Sequence, residues 1–345
     1  RTVANASDGL TESTFQGGRR IFISIMKYSL IIEGAGAVLL SIAFVPQHGG
    51  FGVWMGVFTS VTAFCNAGFD LCGIEGAFSS LTNHQGDPLV LVTVALLIMI
   101  GGLGFIVWEN FLNLRKMKKL SLHTKCVLIM TALLTVGGTL LYLLAEWDNP
   151  ATLGNMNFGE KLLNAFFSSV TARTAGYNSV PMDGMSDFTL LGSCILMFIG
   201  ACPASTGGGI KTTTLLVLIM TVVSYLRSKN DVEILHHKID KLAVYRTLTV
   251  TILSLTAVII CFSVLYFTLP DEVSGVNCLF EAVSAFSTAG LSVGVTAVSG
   301  TAGKILLMLT MYIGRVGPVS LVLSMLMNAS KRKNLVVPEG QIIVG

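Results

Sequence analysis

The sequence is short of charge. Asp, Glu, Lys and Arg make up 12% of its 345 residues, where an ordinary soluble domain carries roughly 25%. It also lacks a C-x-x-C pair. Its seven cysteines (Cys65, Cys72, Cys126, Cys194, Cys202, Cys261 and Cys278) are scattered over apolar segments. They read as small buried hydrophobes, neither a disulfide frame nor a zinc site. The first 20 residues are polar, so no signal-peptide core opens the chain. No aspartate pair falls in an apolar run, and Ser205 has no histidine near it in any span, which argues against an intramembrane protease. What the chain does have is 52% hydrophobic residues, 36 glycines, 19 phenylalanines and 14 methionines. A disordered chain is excluded, and a soluble globular one is argued against, because too much apolar surface would stay wet. The expected class is an all-α polytopic membrane protein.

Six long apolar segments run over about 21–45, 89–108, 126–145, 188–226, 248–269 and 305–327. Each approaches or exceeds the roughly 20 residues a spanning helix needs. The fourth is too long for one span and is interrupted at Pro203 and a glycine cluster. Between spans one and two, three and four, and five and six lie shorter, milder stretches near 53–69, 160–177 and 277–291. Lys and Arg gather up to Lys27, over 114–125, over 225–246 and over 331–333, while the intervening connectors carry Glu146, Asp148, Asp183, Asp187, Asp271 and Glu272. The net charge is only +3, but this placement sets the basic segments in the cytoplasm and makes the short stretches re-entrant from outside.

The short stretches repeat one another. They read SVTAFCNAGF over 60–69, SVTARTAGY over 169–177 and AVSAFSTAGL over 282–291. The middle copy is one residue shorter and carries Arg173 where the others carry Phe64 and Phe286. Gly68, Gly176 and Gly290 stand 108 and 114 residues apart, the length of a complete span, re-entrant stretch and span. Small-residue helix contacts would explain one copy. Three copies, each between two spans, point to a pore. A helix that stops within the membrane leaves carbonyls with partial negative charge at its end. The extended residues after it can turn main-chain oxygens toward a cation, with glycine supplying the conformation. An alternating-access transporter with broken helices does not predict three such copies.

The interruption of the fourth segment reads GACPASTGGGIKTTT over 200–214. It is not a phosphate loop, because Ile210 separates the glycines from Lys211 and the stretch lies inside an apolar span. A polar, glycine-rich backbone there needs a wet or buried place, and Lys211 would set a positive charge in it. Arg315, in MYIGRVGPVS of the last segment, is a second intramembrane cation, with Glu33, Glu109 and Glu281 as possible partners. Gly101, Gly102 and Gly104 read as tight helix packing. His236 and His237, placed side by side on a helix, would not share a face, so a metal site is not expected.

Taken together, the sequence resembles the membrane subunit of the Ktr/Trk/HKT potassium-uptake superfamily over essentially its whole length from Arg20, with a tail closest to the KtrB type. The resemblance implies a pseudo-fourfold ring of span–pore loop–span repeats as in potassium channels. Three are visible here, and a first repeat is expected upstream of Arg1. It divides the chain into a cytoplasmic connector (1–20), a repeat over 21–119 with pore loop 53–70, and a repeat over 120–235 with pore loop 160–178 and an intramembrane loop at 200–214. A repeat over 236–328 with pore loop 277–292 and a cytoplasmic tail (329–345) follow. It implies a filter of Asn66, Ala67 and Gly68, then Thr174, Ala175 and Gly176, then Thr288, Ala289 and Gly290, holding K+ on backbone carbonyls. The gate would comprise Gly207, Gly208, Gly209, Lys211, Thr212 and Arg315. The implied activity is potassium uptake across a bacterial cell membrane, with sodium dependence plausible. A sodium-translocating or non-selective monovalent cation transporter of the same fold is the alternative. No enzyme activity, cofactor or nucleic-acid partner is expected. The implied partners are membrane lipid, a second copy, and a cytoplasmic nucleotide-binding regulatory subunit of the KtrA/TrkA type.

Overall fold

The computed structural model describes residues 2–317 apart from 75, 77, 114–118, 230 and 271, with side chains from Phe22 onward. The 329–345 tail, Pro318 and the basic residues over 114–118 lie outside the described residues. Helices dominate, and along the chain they fall into three units, each with one short helix of 13 to 15 residues.

The first unit opens with α1 (Thr2–His48), which runs back through the expected 1–20 connector; its apolar part, Phe22–His48, is long enough to cross a membrane. A short helix, α2 (Gly50–Phe64), returns against it. Asp87 then starts α3 (Pro88–Leu103) by accepting from Leu89 N at 2.9 Å and Val90 N at 3.3 Å, with Pro88 in the first turn. Next comes α4 (Phe105–Leu112). The second unit has α5 (Leu122–Ala145), capped by Ser121, and the short α6 (Phe158–Thr171), started by a capping box of Asn157 and Glu160. Two half-length helices follow, α7 (Asp187–Phe198) and α8 (Thr212–Leu226). The third unit has α9 (Lys241–Thr268), the short α10 (Gly275–Ser287), one turn of α11 (Val295–Val298), and α12 (Thr301–Val316).

The three short helices have 15, 14 and 13 residues. At 1.5 Å per residue they reach roughly 20–23 Å, short of a hydrocarbon core of about 30 Å. Among the described residues only α1, α5 and α9 are apolar and long enough to cross as single helices. Their outer faces are apolar and exposed, as at Leu30, Val38, Ile252 and Ile259, which suits lipid and not water. The buried side chains form clusters that cross unit boundaries. Phe44, Met55, Phe64 and Val94 of the first unit pack with Phe167 and Tyr177 of the second. Ala165, Leu190 and Met197 of the second pack with Phe280 and Phe286 of the third. The short α6 therefore sits at the centre of both contacts.

A continuous second span over 89–108 is not found, and this corrects the sequence expectation; the 305–327 segment is described only as far as Gly317. The α3–α4 pair bends by 91° at Gly104, whose φ is +91°. Gly104 is thus a break, while Gly101 does pack tightly, against the Phe64 carbonyl. The last helix, α12, stops at Gly317 (φ +89°); the remainder of that segment lies outside the described residues. Between α7 and α8 the backbone is irregular over 199–211, so Thr212, assigned to the loop on sequence, instead opens α8. A further departure from helix is a small antiparallel hairpin, Glu233–Ile234 with His237–Lys238. His236 sits in its turn at φ +65°. The histidine pair therefore lies on a hairpin, not on a helix.

Outside the spans, Glu146 organises the connector after α5. It is 1% exposed. Ser186 N (3.0 Å), Ser186 Oγ (2.8 Å), Thr152 Oγ1 (2.7 Å), Asn149 Nδ2 and Thr189 Oγ1 all donate to its carboxylate. Burial alone would raise its pKa, but the bonds from Thr189, Thr152 and Ser186 outweigh burial and hold it below the ordinary carboxylate value. A depressed folded-state value contributes stability that is present above the unfolded value, about 4.3, and lost as pH falls through the folded one. Glu146→Gln should therefore lower thermal stability at pH 7 by about 1–3 kcal/mol and flatten the acid limb of the melting curve. Melting the solubilised protein from pH 7 down to pH 3 checks both.

Candidate functional site

The three short helices end at one place. Past each C-terminus the chain enters the left-handed region twice, at Asn66 and Gly68 (φ +50° and +71°), Thr174 and Gly176 (+71° and +90°), and Thr288 and Gly290 (+53° and +82°). The glycines adopt this freely; the asparagine and above all the β-branched threonines do so at a cost of about 1–3 kcal/mol each. The same backbone device holds all three elbows. The carbonyls of Thr62, Thr171 and Ser284 accept from Ala67 N (2.8 Å), Ala175 N (3.0 Å) and Ala289 N (2.9 Å). The hydroxyls of the same residues donate forward to Phe69 O (2.8 Å), Tyr177 O (2.6 Å) and Leu291 O (2.6 Å). Each elbow is thus fastened at both ends to one residue of its own short helix. The sequence displays this hydroxyl at the same register in every copy, but composition gives no reason to single it out until the bonds are seen.

The elbows touch. A Cβ built on Gly68 would meet the Ala175 carbonyl oxygen and would stand 3.0 Å from Gly176 Cα. One on Gly176 would stand 2.8 Å from Ala289 O and 3.3 Å from both Gly68 Cα and Gly290 Cα. Gly176 is therefore the middle of an arc, and the Ala175 and Ala289 oxygens face the neighbouring copy's glycine. Two residues before each glycine, buried polar atoms have no hydrogen-bond partner: both amide atoms of Asn66, Thr174 Oγ1 and Thr288 Oγ1. Leaving such groups bare costs about 1–3 kcal/mol each, so four at one locus mark a place that expects a polar guest. The oxygens among them suit a hard cation or its water.

The 199–211 loop closes against this locus. Its stem is fastened by Ile210 N to Phe198 O (3.1 Å) and Ala201 N to Gly208 O (3.3 Å), and Lys211 Nζ donates to Gly207 O at 2.7 Å. A Cβ on Gly207 would meet Thr174 Oγ1 and lie 3.5 Å from Asn66 Nδ2, and one on Gly208 would meet Thr288 Oγ1 and lie 2.5 Å from Ser287 O. The two glycines thus touch all three copies at the same position. Gly209 (φ +68°) turns the chain back toward Gly200. The loop also fills the break at Gly104, since Phe105 N donates to Ala204 O (2.9 Å) and Cys202 N to Gly102 O (3.1 Å).

Arg315 lies in the last turn of α12 and is exposed. Among the described residues it forms no ion pair. Of its expected partners, Glu281 is occupied elsewhere, by Ser292 Oγ at 3.0 Å. Arg173 is buried, with Nη1 3.4 Å from Thr135 Oγ1 and Nη2 4.0 Å from Cys202 Sγ at the loop stem. A second recurrence becomes visible only with the structure. Ile-Gly-x-x-Gly over 100–104, Ile-Gly-x-x-Pro over 199–203 and Ile-Gly-x-x-Gly over 313–317 recur where α3, α7 and α12 end. Gly101 and Gly314 press on the carbonyls of Phe64 and Phe286, the same position in two copies.

Three helices long and apolar enough to cross a membrane, a span broken at Gly104 and three short helices whose ends meet mark a helical membrane protein. It belongs to the TrkH cation transport protein family, whose model matches residues 17–334. It is 39% identical to the potassium/sodium uptake protein NtpJ of Enterococcus hirae, and the match covers 98% of this chain and 74% of that protein. It is 35% identical to the Ktr system potassium uptake protein B of Bacillus subtilis, again over 98% of this chain and 74% of that protein. The fold matches the crystal structure of the potassium transporter TrkH from Vibrio parahaemolyticus with a TM-score of 0.69 at 16% identity, covering 87% of this chain. This chain spans 63% of the length of that one. The protein is accordingly a multi-pass cell-membrane protein of an ion-transporter family, not an enzyme.

Thr171→Val removes the hydroxyl that holds Tyr177 O while keeping the side-chain shape. It should lower stability by about 1–2 kcal/mol, and Thr171→Ser should restore most of the loss. Thermal unfolding of the solubilised variants checks the pair.

Proposed function

We propose that this chain takes up potassium through a path lined by Asn66, Ala67 and Gly68, Thr174, Ala175 and Gly176, and Thr288, Ala289 and Gly290. The observation that carries the reading is the convergence of three left-handed glycine elbows beside buried, unpartnered side-chain oxygens. A dehydrated alkali ion is the guest that such an array suits, with main-chain oxygens replacing its water. K+ is the cargo. The names of the relatives, which include potassium uptake and potassium/sodium uptake proteins, support the same cargo. One glycine elbow per unit, without a longer run of ordered carbonyls, favours weaker discrimination than a potassium channel. This is the observation behind the second reading, a sodium-translocating or non-selective monovalent cation transporter of the same fold.

The arc Gly68–Gly176–Gly290 is three parts of a ring, and the complete transporter would have a fourth unit beside Gly68 and Gly290. The loop 199–211 acts as the gate. Gly207 and Gly208 stand across the inner side of the arc, Gly209 turns the chain, and Lys211, Thr212 and Arg315 frame its exit with two positive charges. The gate answers to a cytoplasmic nucleotide-binding subunit, consistent with relatives named as parts of a Ktr system. A dimer within membrane lipid is the proposed assembly.

Full-length protein, expressed with its regulatory partner in bacteria that lack potassium uptake, should restore growth at limiting potassium. Protein present in the membrane without growth would overturn the reading. Gly290→Ser sets a side chain at φ +82°. The strain of roughly 1–2 kcal/mol in that region should cut the preference for K+ over Na+ by about tenfold, as read from ion uptake into vesicles.

A further inference from the structure

We infer that Tyr177 is a specificity-determining residue, because its phenol ties the first glycine elbow to the second and fixes the spacing at which both offer oxygens to an ion. The inference rests on the potassium-path reading above and names the side chain that sets selectivity within it. Tyr177 follows Gly176 and is 0% exposed. Its hydroxyl reaches out of the second unit into the first. There it meets Thr62 Oγ1, lies 3.1 Å from Phe69 O, and lies 3.5 Å from Thr59 O. Thr62 is the residue that fastens the first elbow, through its own 2.8 Å bond to the same Phe69 oxygen.

The protons available to this cluster keep it linked. A phenol and a threonine hydroxyl each carry one hydrogen. If the phenol donates to Phe69 O, the threonine hydroxyl is free to donate to the phenol. If the phenol donates to Thr62, the threonine hydroxyl donates to Phe69 O. In both arrangements the Phe69 carbonyl receives a hydrogen and the two units stay linked. The link continues one residue on, where Asn178 N donates to Ser80 Oγ (3.2 Å) and Leu81 N to Asn178 O (3.0 Å).

The tie is particular to this junction. The corresponding residues of the other copies, Phe69 and Leu291, have no hydroxyl to reach a neighbour. The third elbow is instead anchored within its own unit, where Ser292 Oγ donates to Glu281 at 3.0 and 3.2 Å. Discrimination among alkali ions depends on the number and spacing of oxygens around the ion. A cross-unit strut beside two of the elbows acts on that spacing directly, and does so without touching the ion.

The test compares Tyr177→Phe with Tyr142→Phe in full-length protein with its regulatory partner, reconstituted in vesicles, with K+ and Na+ uptake measured separately. Tyr177→Phe keeps the packed ring and loses only the strut. Its K+ over Na+ preference should fall about fivefold, the weight of roughly one hydrogen bond. Tyr142 is the control, a buried phenol bonded to Ser193 Oγ at 2.6 Å and to no elbow residue; its variant should keep the wild-type preference. A Tyr177→Phe preference equal to wild type overturns the inference while leaving the transport reading intact. A wild type that moves neither ion overturns both. Should Tyr177→Phe not accumulate in the membrane, Thr62→Val cuts the same link from the other side and must show the same fall.

Discussion

A main-chain polar group at membrane depth must find a partner, because lipid offers none. That constraint organises this molecule. Three short helices end at one locus, and every end exposes carbonyls and amides that need an answer. Most answers come from the chain itself, through Thr62, Thr171 and Ser284 at the elbows. The broken backbone at Gly104 is answered by the 199–211 loop. The bare side-chain oxygens of Asn66, Thr174 and Thr288 cluster where the units meet, so the unsatisfied polarity is gathered at one locus instead of being spread along the membrane.

The break between α3 and α4 follows from the same requirement. At Gly104 the freed backbone pairs with the 199–211 loop, where Phe105 N donates to Ala204 O at 2.9 Å. The Ile-Gly-x-x-Gly pattern works in two moves. Its first glycine lets the span press on the carbonyl of Phe64 or Phe286, and its second ends the helix three residues later. In the middle unit the pattern carries proline in place of the second glycine, and the chain leaves the helix altogether. That excursion is the loop whose Gly207 and Gly208 reach all three copies. A proline removes a donor and bars helix continuation, but α7 already ends at Phe198, five residues before Pro203, and Gly209 at φ +68° keeps the chain out of helix farther on.

How much of this is legible in the sequence differs from residue to residue for physical reasons. The elbows are legible because glycine after alanine, repeated three times between spans, is more than helix packing requires. The interruption near Pro203 is legible because polar residues inside an apolar run are costly and therefore informative. The bend at Gly104 is not, since a glycine in a span serves packing as readily as it serves a break, and local sequence does not separate the two. Its partner, the carbonyl of Ala204, lies a hundred residues away. The hydroxyls of Thr62, Thr171 and Ser284 stand in plain view within the repeat, but threonine and serine in membrane helices commonly bond back to their own helix. Only the forward bond past the glycine distinguishes these three. The histidine hairpin is hidden because adjacent polar residues in a charged connector carry no period of their own.

The three copies are alike in backbone and unlike in side chains, and the differences concentrate in the middle one. It is a residue shorter, replaces a phenylalanine by Arg173, and ends in the one elbow residue with a hydroxyl on its ring. Each change faces a different neighbour. Arg173 turns to the loop stem at Cys202, while Tyr177 turns to the first unit at Thr62 and Phe69. A ring of identical units would need to tune all elbows together. Here one unit, packed into both hydrophobic clusters, holds the loop on one side and a neighbouring elbow on the other. Both contacts come from the few residues that follow α6, Arg173 toward the loop stem and Tyr177 toward the first elbow.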